Sequence, residues 1–64
     1  MKVNGKVSEL KVPMTVRELI ADMGYREDRV AVELNGKIVP RPEYGNVYLD
    51  NDDSAEIVEF VGGG

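Results

Sequence analysis

Apolar residues alternate, or recur at helical spacing, along most of this chain, and the period changes wherever glycine, proline or a polar cluster intervenes. Met1-Lys2-Val3, then Asn4-Gly5, then residues 6–12 predict a hairpin, because Asn-Gly between apolar runs is the strongest two-residue signal for a tight turn. The second arm carries Val7, Leu10 and Val12, an imperfect spacing that points to a bulge. Thr15 then stands three residues before Glu18, a capping box, with Met14 and Leu19 placed for a hydrophobic staple around it. Val16, Leu19, Ile20 and Met23 repeat at i, i+3, i+4 and i+7 and predict a short amphipathic helix, which Gly24 ends in the left-handed conformation.

After a charged loop, Val30-Ala31-Val32-Glu33-Leu34 alternates with period two, and Asn35-Gly36 followed by Lys37-Ile38-Val39 completes a second hairpin. Pro40 and Pro42 stop that strand because neither has an N–H for the ladder, and Arg41 before Pro42 is biased to an extended shape. Residues 45–49 predict one more short strand, residues 50–54 a turn, and residues 55–61 the last strand. In that last strand Glu56 and Glu59 fall on opposite faces, so alternation alone leaves its register open. Val58 and Phe60 are assigned the inward side, with an outward, partner-facing position as the alternative. The order of elements predicts an α+β domain over residues 1–61, a sheet of four to five strands wrapped on one helix, with residues 62–64 as a flexible glycine tail.

Composition narrows the chemistry. At this length only about 60% of the unfolded surface can be buried, which leaves no room for a deep enclosed active site. There is no cysteine and no histidine, so a disulfide framework, a thiolate metal site and the commonest general base are all missing. Eight basic against twelve acidic residues give a net charge of −4, which opposes a nucleic-acid partner and favours an electropositive protein surface. No apolar run approaches the roughly 18 residues of a membrane span. A cytoplasmic protein, monomeric when free, is expected.

Asp50-Asn51-Asp52-Asp53-Ser54 has the alternating oxygen ligands that open a calcium loop, but the sixth position is Ala55 and the twelfth Val61, where glycine and a bidentate glutamate belong. A solvated turn is the better account, and no metal site is expected. Glu56 and Glu59 point to opposite faces and cannot act as an acid/base pair. What remains is the end of the chain, Phe60-Val61-Gly62-Gly63-Gly64. Three glycines after an apolar strand form a thin backbone that can carry an α-carboxylate into a channel too narrow for any residue with a Cβ. A frayed end or an added linker is the plain alternative.

The residues also resemble a known family. Residues 30–41, Val-Ala-Val-Glu-Leu-Asn-Gly-Lys-Ile-Val-Pro-Arg, look like the central segment of the sulfur carrier proteins of thiamine biosynthesis, the ThiS family. Tyr44 sits where that family often has an aromatic residue, and residues 57–64 are similar to its terminal strand and diglycine. The one departure is a first strand of barely three residues, which bears on the edge of the sheet and not on the tail.

The resemblance implies a β-grasp, ubiquitin-like fold and a carrier that is not itself an enzyme. It implies an adenylating, E1-like partner that uses ATP on the terminal carboxylate, a sulfur donor such as a cysteine desulfurase, and thiazole synthase as the sulfur acceptor. No cofactor is expected on the chain itself. Gly64 would then bear the sulfur, and Gly63 and Gly62 would thread with it. Val58, Phe60 and the acidic residues Asp52, Asp53, Glu56 and Glu59 form the candidate docking surface. A carrier for molybdopterin or cysteine synthesis, or an interaction module with an inert tail, fits the same residues.

Overall fold

Two hairpins and a final strand build one sheet in the computed structural model, which describes residues 1–60. The elements are β1 (Lys2–Val3), β2 (Lys6–Val7), α1 (Val16–Asp22), β3 (Val30–Leu34), β4 (Lys37–Ile38) and β5 (Ser54–Glu59), with short 3₁₀ turns at Glu27–Arg29 and Arg41–Glu43. The strand order is β2-β1-β5-β3-β4. β1 runs parallel to β5, and the other neighbours are antiparallel. The mixed sheet lies over a single helix, the α+β arrangement expected from the element order and the β-grasp fold that the family resemblance implied.

Both Asn-Gly turns form as expected. Asn4 and Asn35 have φ of 52°, and Gly5 and Gly36 have φ of 84° and 85°, the two positive values that a type I′ hairpin turn requires. Each asparagine also reaches sideways to β5. Asn4 Oδ1 accepts from Ile57 N at 2.7 Å while its Nδ2 donates to Ile57 O at 3.3 Å. That side chain continues the parallel ladder where β1 has already ended, which is how so short a strand holds an interior place in the sheet. On the other flank Asn35 Oδ1 accepts from Ser54 N at 2.9 Å and its Nδ2 donates to Asp53 Oδ1 at 2.8 Å.

The helix begins at the expected capping box: Glu18 N donates to Thr15 Oγ1 at 3.2 Å and Thr15 N to Glu18 Oε1 at 2.8 Å. Val16 N and Arg17 N, which have no partner within the helix, donate to Val47 O and Tyr44 O at 3.0 and 2.9 Å. Those bonds explain why residues 45–49 form no strand. Their backbone serves the helix start, and only one bridge, between Thr15 and Tyr48, remains. Arg41 likewise opens a 3₁₀ turn where an extended residue was expected, held by Glu43 N to Pro40 O at 2.8 Å and Tyr44 N to Arg41 O at 3.1 Å. The turn drives Tyr44 into the core, where its hydroxyl donates to Val30 O at 3.3 Å.

At its other end the helix closes as a Schellman motif, Tyr25 N to Ile20 O and Gly24 N to Ala21 O both at 3.0 Å, with Gly24 at φ +82°. The last helical residue is Asp22, one position before the end of the expected stripe, and Met23 lies exposed at the cap instead of in the core. The second arm of the first hairpin also stops early, at Val7, leaving Val7 and Val12 exposed.

The core is Val16, Leu19 and Ile20 of α1, Val30 and Val32 of β3, and Ala55 and Ile57 of β5, closed by Met1, Val39, Tyr44 and Leu49. β5 thus turns Ala55 and Ile57 inward. This overturns the inward assignment of Val58 and Phe60, which are 57% and 48% exposed. Both edge strands are two residues long and carry a lysine, Lys6 and Lys37, a pattern that discourages edge-to-edge pairing.

Asn4→Ala removes both side-chain bonds to Ile57 and puts a Cβ residue at positive φ without an amide to hold it, so urea denaturation should show a loss of about 1–3 kcal/mol. Asn4→Gly relieves the backbone and should recover part of that loss. Ile57→Ala should cost about 2–5 kcal/mol, whereas Phe60→Ala should cost about 1 kcal/mol or less. Equal losses at Ile57 and Phe60 would refute the register.

Candidate functional site

The strand that leads to the tail is the middle strand of the sheet. Its ladder with β3 pairs Val30 with Glu59, Ala31 with Val58, Val32 with Ile57, Glu33 with Glu56 and Leu34 with Ala55. Beyond it, Phe60 N donates to Arg29 O at 2.8 Å, so the chain is held by backbone bonds through Phe60. Val61, the tail residues Gly62, Gly63 and Gly64, and the boundary between domain and tail lie outside the described residues.

Successive residues alternate between faces, so the face away from the helix carries Ala31 and Glu33 of β3 and Glu56 and Val58 of β5, with Phe60 following. Ile38, opposite Glu33 on β4, joins them at 67% exposed. Ala31, Val58 and Phe60 form an apolar strip next to the point where the chain leaves the sheet. Arg29 stands beside it, across from Phe60.

The expected docking residues divide. Val58, Phe60 and Glu56 share the outer face, while Glu59 has the parity of the inner one and is exposed at the strand end. Asp52 and Asp53 precede β5, and at roughly 3.3 Å per residue its six residues separate them from Phe60 by about 20 Å. Asp53 is also held within its own turn. Its Oδ2 accepts from Asp50 N and its Oδ1 from Asn35 Nδ2, each at 2.8 Å, while Asp50 Oδ1 accepts from Asp52 N at 3.1 Å. The aspartates shape the connection into β5 and stand apart from the tail exit.

Three residues on this face were not brought to it by sequence reasoning: Ala31, Glu33 and Ile38. The alternation of residues 30–34 contained the signal for the first two. Their position beside β5 needed the strand register. Elsewhere, Arg17 Nε donates to Glu27 Oε1 at 2.6 Å and Arg17 Nη2 to Glu27 Oε2 at 3.2 Å, a bidentate pair whose hydrogen bond and charge hold the guanidinium above its ordinary pKa. The guanidinium packs over Gly45, where an added Cβ would lie 2.6 Å from Arg17 Nη1. It braces the start of the helix against the loops that hold Glu27 and Gly45. Among the described residues no group of three or more acidic, histidine or cysteine side chains is placed to hold a metal ion, and no helix is long and apolar enough to cross a membrane.

The candidate site is therefore an exposed sheet face beside the end of β5, with no enclosed cleft at it. Comparison with known proteins gives the family. The model of the ThiS family matches residues 1–64. The sulfur carrier protein ThiS of Bacillus subtilis is 38% identical over 65 residues, covering all of this chain and 98% of that one. A thiazole synthase of Paramagnetospirillum magneticum is 40% identical over 62 residues, which are 97% of this chain but 19% of the synthase, so the chain spans about a fifth of the length of that relative. The crystal structure of thiamine biosynthesis protein ThiS from Geobacter metallireducens superposes with a TM-score of 0.80 at 32% identity, covering 98% of this chain and 96% of that one. The chain belongs to the ThiS family, the sulfur carrier proteins of thiamine biosynthesis.

Proposed function

We propose that Gly64 carries the sulfur as a thiocarboxylate. A carboxylate is ionised at neutral pH, with a free-chain pKa of about 3.3–3.7, and resists attack by a sulfur nucleophile. It needs a leaving group first. An adenylating, E1-like enzyme supplies one when the Gly64 carboxylate attacks the α-phosphorus of ATP and pyrophosphate departs. The terminal sulfur of a persulfide, charged by a donor such as a cysteine desulfurase, then attacks the acyl carbon and AMP leaves. A second thiol cleaves the resulting acyl disulfide and frees the thiocarboxylate, which thiazole synthase consumes. On this reading ATP is the adenylating partner's cosubstrate and not a ligand of this chain, and the carrier works in the cytoplasm, where ATP is at hand.

The observation that carries this reading is the family match over residues 1–64, which takes in the three closing glycines. The thiazole synthase that contains a stretch similar to 97% of this chain supports the synthase as the acceptor. The chain's own contribution is position and inertness. β5 holds the backbone through Phe60 while the outer face stays open to a partner. With no cysteine in the chain, no internal thiol competes for the activated glycine.

Adding one alanine after Gly64 should abolish ATP–pyrophosphate exchange with an adenylating enzyme while leaving the unfolding midpoint unchanged. Undiminished exchange would sink the role of Gly64. Intact-mass spectrometry of the native chain, incubated with that enzyme, ATP and a persulfide donor, should show one oxygen replaced by sulfur. Gly63→Val should cost less than about 0.5 kcal/mol of stability, yet block activation or sulfur donation, because a β-branched side chain stiffens and widens the tail. A normal rate of donation by this variant would rule out a narrow channel.

A further inference from the structure

One arrangement on the outer face is not needed by the fold. Glu33 stands directly across from Glu56, both exposed, with Val32 and Ile57 beside them buried on the other side of the sheet. Side chains so paired have Cβ atoms about 4.5–5.5 Å apart, and like charges there destabilise the sheet. Neither carboxylate is taken up by an ion pair among the described residues, where the two that form join Arg17 to Glu27 and Arg26 to Asp28, and the cation on the same face, Lys2, lies opposite Ser54 and not opposite Glu56. Apolar side chains border the pair, with Ile38 across from Glu33 and the Ala31–Val58 step next toward the tail.

A partner that covers this strip must also take water from the two carboxylates. Burying them unpaired is costly, so the covering surface has to bring positive charge. A guanidinium fits best, because its planar fork donates to carboxylates on two sides and tolerates an apolar surround better than an ammonium.

We propose that Glu33 and Glu56 together receive an arginine of thiazole synthase, with Ile38, Val58 and Phe60 as the apolar border, and that this contact sets the register in which the tail is presented. The proposal rests on the carrier reading above. The occupant follows from three observations. The chain carries net negative charge. The strip is continuous with the strand that runs on to the tail. A thiazole synthase contains a stretch similar to nearly the whole chain, which ties carrier and synthase to one polypeptide.

Glu33→Gln and Glu56→Gln, made singly and together, keep the size of each side chain and remove its charge. Each should raise the thermal midpoint, since repulsion is relieved, and weaken binding to purified thiazole synthase by about tenfold. The double variant should lose less than the product of the singles, because one cation serves both carboxylates. Glu9→Gln, exposed and outside the sheet, should change neither. Four results would each overturn the proposal: unchanged affinity in the double variant, a lowered midpoint in either single one, no binding of the wild-type chain to the synthase, or a loss confined to the adenylating enzyme. The carrier reading fails on a different measurement, namely no thiocarboxylate on the wild-type chain.

Discussion

β5 pairs with a parallel neighbour on one side and an antiparallel one on the other, and among the described residues it is the strand that joins two hairpins sharing no ladder of their own. Each hairpin is local, closed by its own Asn-Gly turn, and neither can bury a face alone. The sheet exists once β5 has come in between them. Its placement is reinforced from both flanks by the turn asparagines, Asn4 across 53 positions of sequence to Ile57 and Asn35 to Ser54. This pins the register, and the register decides which residues of the final strand enter the core. Because the same strand runs on toward the glycines, the segment most deeply tied into the fold directly precedes the segment proposed to carry the sulfur, and its backbone is held through Phe60.

This placement also explains why the body of the chain can be chemically plain. When the reacting atom lies on the main chain at the terminus, the domain has to supply position and recognition and no acid, base or metal. The absence of histidine and cysteine agrees with that division, as does a site made of a face and an exit in place of a cleft. In the proposed reaction, activation and sulfur transfer belong to partners, and the carrier's specificity would lie in how its outer face seats.

Local chemistry made much of the fold legible. The two Asn-Gly turns, the capping box at Thr15 and Glu18, and the left-handed Gly24 each depend on neighbours a few residues away, and each forms as expected. The failures share one cause, which is dependence on distant partners. Residues 45–49 have strand-like alternation, yet Tyr44 and Val47 give their carbonyls to the helix start, and nothing local announces that. In β5, Glu56 and Glu59 cancel the alternation signal, so its register followed only from the Asn35 contact and the pairing with β3. The candidate site was legible as a tail and as residue types on the last strand. Glu33 and Ile38 were not, since they reach the site only through cross-strand pairing.

A two-layer domain of this size has a core on one side of its sheet only. The helix covers Val30, Val32, Ala55 and Ile57, and the reverse face has no second layer to meet. Stability alone would fill such a face with mixed charges and short polar side chains, as antiparallel sheets usually do toward water. This face instead sets Ala31, Val58, Phe60 and Ile38 around two facing carboxylates, an arrangement that weakens the free domain on both counts. A partner surface that is apolar and cationic would turn both weaknesses into contacts. On that proposal water and partner favour different residues on the same strands: the inward residues of β3 and β5 answer to the helix, and the outward ones would answer to the partner.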